Sequence, residues 1–219
     1  MKNKLAFTLA EVLITLGIIG VVAALTLPAL IQNYQKQVYV NALKKSISTL
    51  QNGFKMALAE DGVDELQHTE LFGSLTTTNN NYVYNTTNEI FENNLKKYFH
   101  IINIKSYENS FKPYKTLNNN DYYELKKEIF LSDGSSIILF GPAPFSGYFS
   151  KYDQNVLIDV NTSAKNPNQW GRDLFGFKFD TRGNINGGVW AYTSEACNKN
   201  NTGFSCGDYL LKNNYNMDY

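Results

Sequence analysis

KNKLAFTLAEVLITLGIIGVVAALTLPALI, residues 2–31, is a short basic leader, a phenylalanine and a long apolar run broken by one carboxylate. From Phe7 to Ile31 the only ionisable side chain is Glu11. At about 1.5 Å rise per residue, a helix of this length crosses a hydrocarbon core of about 30 Å. The chain therefore reads as membrane-anchored.

Three readings compete for this stretch. A secretory signal peptide has a shorter apolar region ending in a small-residue cleavage site. Val22-Ala23-Ala24 offers a passable one, yet an export signal has no use for Glu11. A plain anchor tolerates Glu11 only near the interface, because a charge at the bilayer centre costs on the order of 3 kcal/mol or more. The third reading gives Glu11 a function.

Leu5-Ala6-Phe7-Thr8-Leu9-Ala10-Glu11, followed by an apolar helix with Gly17, Gly20 and Pro28, resembles the class III leader of type IV pilins and type II secretion pseudopilins. The resemblance implies cleavage by a prepilin peptidase between Ala6 and Phe7, and N-methylation of the new Phe7 amine. Glu11 then takes the family's glutamate position, and Pro28 that of its helix-bending proline. Ala6 stands where the family usually has glycine, which implies slower processing, and Ala10 where it has a larger aliphatic residue. The likeness is specific over about thirty residues and weak beyond them.

The chemistry is consistent with this. Cleavage creates an α-amine at Phe7, a cation near neutral pH. A carboxylate in low dielectric seeks an opposite charge. In a bundle of staggered copies, Glu11 of one subunit can meet Phe7 of the next and so set the axial register. The bland alternative is a Glu11 that snorkels to the headgroups.

Of the 219 residues, those after the helix suffice for one globular domain. Twenty basic and twenty acidic residues give no net charge, so no clustered basic excess suggests nucleic-acid binding. Asparagine runs such as Asn79-Asn80-Asn81 and Asn118-Asn119-Asn120 read as polar loops. Lysines flank both sides of the apolar run, so orientation comes from the resemblance: leader inside, domain outside.

Val40, Leu43, Ile47, Leu50, Phe54 and Leu58 recur at steps of three and four, a stripe for packing on a domain. The helix is expected to run from Phe7 to about Ala59, some ~80 Å, apolar all round and then on one side only. Pro28 is expected to bend or locally open it, and Gly17 and Gly20 to weaken it or admit close neighbours. Asp61-Gly62 ends it. A short helix around 64–72, a loop at 76–81 and a second helix opened by the box Thr86-Thr87-Asn88-Glu89 and closing near His100 follow. Residues 105–121 read as a connection.

From residue 125 the pattern is that of strands. Residues 128–131 and 136–140 make a hairpin around Ser132-Asp133-Gly134-Ser135. Val156–Val160, Phe175–Asp180, Ile185 and Val189–Tyr192 complete an antiparallel meander of four or five strands. The expected fold is α+β: a long N-terminal α-helix, with a transmembrane half and then an amphipathic half, packed on a small antiparallel β-sheet, as the pilin resemblance also implies. The divisions are 1–6 leader, 7–31 membrane and filament-core helix, 32–60 its amphipathic continuation, and 61–219 the pilin-like domain.

Candidate chemistry is sparse. His68 and His100 lack metal-like spacing, Gly141-Pro142-Ala143-Pro144 reads as a turn, and no serine sits in a nucleophile elbow. No enzyme is read here. Asp159-Val160-Asn161, then Pro167-Asn168, then Gly171-Arg172-Asp173-Leu174-Phe175 resembles a DxN…PN..GxDxF segment of many proteins with this leader. Asp159, Asn161 and Asp173 are oxygen donors suited to calcium, which some major pseudopilins hold; equally, they can satisfy local turn amides. Cys197 and Cys206 are either free thiols or a disulfide closing a short polar loop, worth about 2–3 kcal/mol by loop entropy. Pilins often have such a loop near the C-terminus, which implies the disulfide.

The sequence reads as a subunit of a type IV pilus-like or type II secretion pseudopilus filament. The resemblance implies prepilin peptidase, other pilin-like subunits, an assembly ATPase and a membrane platform as partners. It also implies storage in the inner membrane as a single-pass protein. The runner-up is a minor pilin that acts as a tethered ligand- or DNA-binding module, which needs a clustered basic or aromatic patch. A secreted enzyme behind an export signal, cleaved after Ala24, is a third.

Overall fold

The computed structural model describes residues 8–72, 75–78, 81–84, 88–107, 113–121, 127–139, 154–188 and 197–219. The leader, the bond between Ala6 and Phe7, and the expected features at Thr86-Thr87, residues 141–144 and 189–192 lie outside them. The chain forms two compact units, divided between Val38 and Tyr39.

Helix α1 spans Leu9–Asp61 and crosses both units. From Val12 to Ile31, in the first unit, its side chains are apolar on every face apart from Thr15 and Thr26, and nearly all are exposed. Helical structure continues through Pro28, although the ring deprives the Ala24 carbonyl of its usual donor.

In the second unit α1 has one buried face: Val40, Leu43, Ser46, Ile47, Leu50, Gly53, Phe54 and Ala57. Each fully buried Leu or Phe there contributes about 1.5–3 kcal/mol. Gly53 is required, because a Cβ at that position would lie 2.2 Å from the Phe99 ring. Gly62 adopts φ +64 and Val63 N–H donates to the Leu58 carbonyl at 3.1 Å. This six-to-one bond with a left-handed glycine is a Schellman stop, so Asp61-Gly62 ends the helix as expected.

A 3-10 turn at Leu66–His68 replaces the short helix expected around 64–72, since three residues bury only Leu66 and Gln67. Strands β1 (Leu75–Thr78) and β2 (Asn81–Tyr84) pair antiparallel where a loop is expected. Helix α2 is Asn88–Tyr98.

A six-stranded antiparallel sheet follows in simple order: β3 (Ile101–Ser106), β4 (Lys127–Leu131), β5 (Ser136–Leu139), β6 (Gln154–Asp159), β7 (Leu174–Phe179) and β8 (Ile185–Gly188). Among the described residues it has one strand more than the larger expected count, because Ile101–Ser106, whose last two residues fall in the expected connection, pairs with β4. Helix α3 (Cys206–Lys212) follows the sheet. The layout is α+β and fits the pilin-like fold.

Strand alternation sends side chains to two faces, and here both are covered. On one, Ile129, Ile137, Ile158, Phe175 and Phe177 join the α1 stripe, Leu95 and Phe99 in the main core. Phe54 sits at its centre, its ring 4.7 Å from Phe179 and 5.9 Å from Phe99. On the other, Ile138, Leu157 and Leu174 pack with Tyr114 and Trp170 from the loops. The uninterrupted apolar runs of β6 and β7 follow from this double burial.

Candidate functional site

Ala6 and Phe7 precede the described residues, so the amino-terminal site is seen from Thr8 onward. Thr8 N–H and its hydroxyl both donate to Glu11 Oε2, at 2.8 and 2.7 Å, and Glu11 N–H donates back to Thr8 Oγ1 at 3.2 Å. This is a capping box: the carboxylate and the hydroxyl each satisfy an orphan amide at the helix start. Thr8-x-x-Glu11 carries that signature in the sequence, and reading Glu11 only as an intermolecular residue misses it.

The segment that follows is suited to lipid. Leu13, Ile18 and Leu25 are 61 %, 60 % and 76 % exposed. Its hydroxyls stay inside the helix, with Thr15 donating to the Glu11 carbonyl and Thr26 to the Val22 carbonyl, both at 2.9 Å. Without water, polar groups must be satisfied in this way.

Asp159, Asn161 and Asp173 are brought together on the second face of the sheet. Asp159 ends β6 and is fully buried, accepting from Tyr114 Oη at 2.6 Å and from Asn161 N–H at 2.9 Å. Asp173, just before β7, accepts from the amides of Asn168 at 2.8 Å and Gln169 at 2.6 Å. A third buried carboxylate, Glu128 of β4, was not singled out by the sequence reading. It accepts from Tyr107 Oη at 2.9 Å, Ser136 Oγ at 2.7 Å and Ser163 N–H at 2.9 Å, and also from the Ser163 hydroxyl. The alternation that puts Ile129 and Leu131 in the main core sends Glu128 to the opposite face, which is the signal that could have found it.

Burial pushes Asp159 well above the usual carboxylate range, and the neighbouring Asp173 adds to the effect. Burial likewise raises Asp173 to about 6, against the pull of the two amides. The Tyr114 hydroxyl is held protonated, first by burial and then by Asp159.

A calcium ion takes six to eight oxygen ligands. Here all four oxygens of Asp159 and Asp173 already accept protein hydrogens, and only Asn161 Oδ1 and Asn168 Oδ1 lie buried without a donor. Among the described residues no group of three His, Cys, Asp or Glu side chains is placed to hold a metal. As arranged, Asp159 and Asp173 serve as hydrogen-bonded turn anchors.

Cys197 and Cys206 are disulfide-bonded, and Cys206 is fully buried. The loop between them is tied down by Leu117 N–H donating to the Thr202 carbonyl at 2.8 Å. Gly171 and Gly203 have φ of +75 and +88, and a Cβ on either would lie 2.8 Å from Cys206 Sγ or the Trp170 carbonyl. Tyr219 Oη donates to the Gly171 carbonyl at 2.7 Å, so Tyr219, beyond α3, and the disulfide brace the Asp173 turn together. The two histidines stay apart, His68 in the 3-10 turn and His100 just before β3.

Residues 1–27 match the prokaryotic N-terminal methylation motif, the signal of type IV pilins and pseudopilins. Residues 29–217 match a family of unknown function, DUF6613. The two matches meet at Pro28. No curated protein and no solved structure matches the chain.

Proposed function

Because the chain belongs to DUF6613, a family of unknown function, and begins with the methylation motif of pilin and pseudopilin precursors, we propose that it is a filament subunit. It is inserted in the inner membrane as a prepilin, cleaved before Phe7 and assembled through α1 into a type IV pilus-like or type II secretion pseudopilus filament. Prepilin peptidase, further pilin-like subunits and an assembly platform with its ATPase are the partners of this reading.

One observation carries it. From Thr8 onward the methylation motif lies on a helical segment that is apolar on nearly every side and finds no cover among the described residues. Such a surface needs lipid or other helices around it. Membrane storage supplies the first and a helical bundle the second. Glu11 then has two successive partners: Thr8 within the helix, and the Phe7 amine of a neighbour in the bundle.

Mass spectrometry of the mature chain tests the first step: the expected N-terminus is a methylated Phe7, and a chain beginning after Ala24 would refute the leader. Glu11→Leu tests the second. It should be processed normally, yet enter filaments at least about tenfold less, since stranding one member of a buried ion pair costs about 3 kcal/mol or more. Incorporation at the wild-type level would remove the register role.

A further inference from the structure

Where α1 ends, the turn between β7 and β8 is built tightly against it. Thr181 carbonyl accepts from Leu66 N–H at 2.7 Å, and Arg182 N–H donates to Asp180 Oδ1 at 2.9 Å. Gly183 has φ +78, and a Cβ there would lie 2.6 Å from Phe54 Cβ. The turn is fixed, and it holds Arg182 out from the surface.

Beside it is an open cleft of about 560 Å³ lined by Lys55, Leu58, Ala59, Val63, Asp64 and Arg182. Leu58, Ala59 and Val63 supply apolar lining, and two cations stand around them. Lys97, at the same end of α1, contrasts with them, being held by Glu60 at 2.7 Å and Glu70 at 3.2 Å. Lys55 and the Arg182 guanidinium have no such partner among the described residues, and Asp64 forms no ion pair with either. An apolar lining with an unpaired guanidinium and ammonium suits a carboxylate on a short aliphatic stem.

The chain itself carries a matching group. Among the exposed carboxylates whose side chains are described, only Asp64 and Asp121 lack a partner, and Asp64 belongs to the cleft wall. Asp121 is exposed and its backbone is fixed by pairing with Lys115 beside the turn at residues 116–120.

We propose that the cleft between the end of α1 and the β7–β8 turn is a subunit–subunit contact, in which Lys55 and Arg182 receive Asp121 of a second copy of this chain. The contact rests on the filament reading above and adds to it a place where the domains meet. Electrostatic complementarity of this kind fixes register and partner choice more than raw affinity. The helices then carry cohesion and the domains carry alignment.

The test uses full-length chains and measures incorporation into filaments for Arg182→Glu, Asp121→Lys and the double variant. Each single reversal should lower incorporation about fivefold or more, by setting like charges against each other. The double variant, which restores opposite charges between copies, should recover most of it. Normal incorporation of Arg182→Glu, or a double variant no better than the worse single, overturns the contact. Arg182→Gln guards against a folding artefact: with an intact disulfide and unchanged protease resistance, it should show a smaller loss in the same direction, and no loss counts against the proposal. Glu11→Leu run in parallel separates the two ideas. If the wild-type chain itself enters no filament, the filament reading fails; if Glu11→Leu is lost from filaments while the charge variants assemble normally, only this contact is lost.

Discussion

Leu13, Ile18 and Leu25 lie exposed while Leu43, Leu50 and Phe54 are buried, although all six belong to one unbroken helix. Residue type does not separate them; their neighbours do. Between Leu9 and Ile31 almost every position is apolar, so the helix has no polar face to turn to water and no face chosen for burial. Between Val40 and Ala57 apolar residues recur at three and four, alternating with Lys44, Lys45 and Lys55, and the following chain folds over that single stripe. The same side chains thus serve as an anchor in one unit and a core in the other.

The comparison breaks most sharply at Phe54. Phe54→Ala removes the ring at the centre of the main core and should destabilise the second unit by about 3–5 kcal/mol, read from urea unfolding followed by tryptophan fluorescence in detergent. A loss under 1 kcal/mol would mean that the stripe does not organise the domain. Replacing both Cys197 and Cys206 with serine should cost about 2–3 kcal/mol, the loop-entropy value for a short closure, with the largest rise in hydrogen exchange in the loop they bound. An unchanged midpoint would show that packing of Tyr219, Gly171 and Trp170 holds the loop without the bond.

A smaller effect comes from pH. An acid whose folded pKa lies above its unfolded value binds its proton more tightly when folded, so its contribution to stability is fully present below the unfolded pKa and is lost as pH rises through the folded one. With Asp173 raised to about 6, the second unit should lose about 1 kcal/mol between pH 5 and pH 7.5. A midpoint that rises over that interval would contradict burial as the dominant influence on Asp173. Ile18→Ala, at the other pole of the comparison, should leave the unfolding of the second unit unchanged within about 0.5 kcal/mol. A larger shift would mean that the first unit contributes to the fold of the second.

Legibility in the sequence followed periodicity. The stripe from Val40 to Phe54, the stop at Asp61-Gly62 and the hairpin around Asp133-Gly134 were all readable, because each rests on a local pattern with one physical meaning. Strand β3 was not, since Ile101-Ile102-Asn103-Ile104 alternates poorly and its register slips between Ile101 and Asn103. Helix α3 was hidden by its Cys206-Gly207 start, where Gly207 is needed because a Cβ would lie 2.5 Å from the Gly176 carbonyl. At the candidate sites, the segment from Asp159 to Asp173 stood out, but its role did not. That role depends on Tyr107, Tyr114 and Glu128, which reach the cluster from far along the chain. Donors brought together only by the fold leave no spacing to read.

The continuity of α1 also has a mechanical consequence. A pull on its apolar end, as in withdrawal from a bilayer, travels as tension along a helical backbone that continues from Leu9 to Asp61 with one ladder bond missing at Pro28. The buried stripe meets that tension in shear, with eight residues from Val40 to Ala57 bearing it together. Interfaces loaded in this way yield all at once, so the domain should follow its helix as a single passenger.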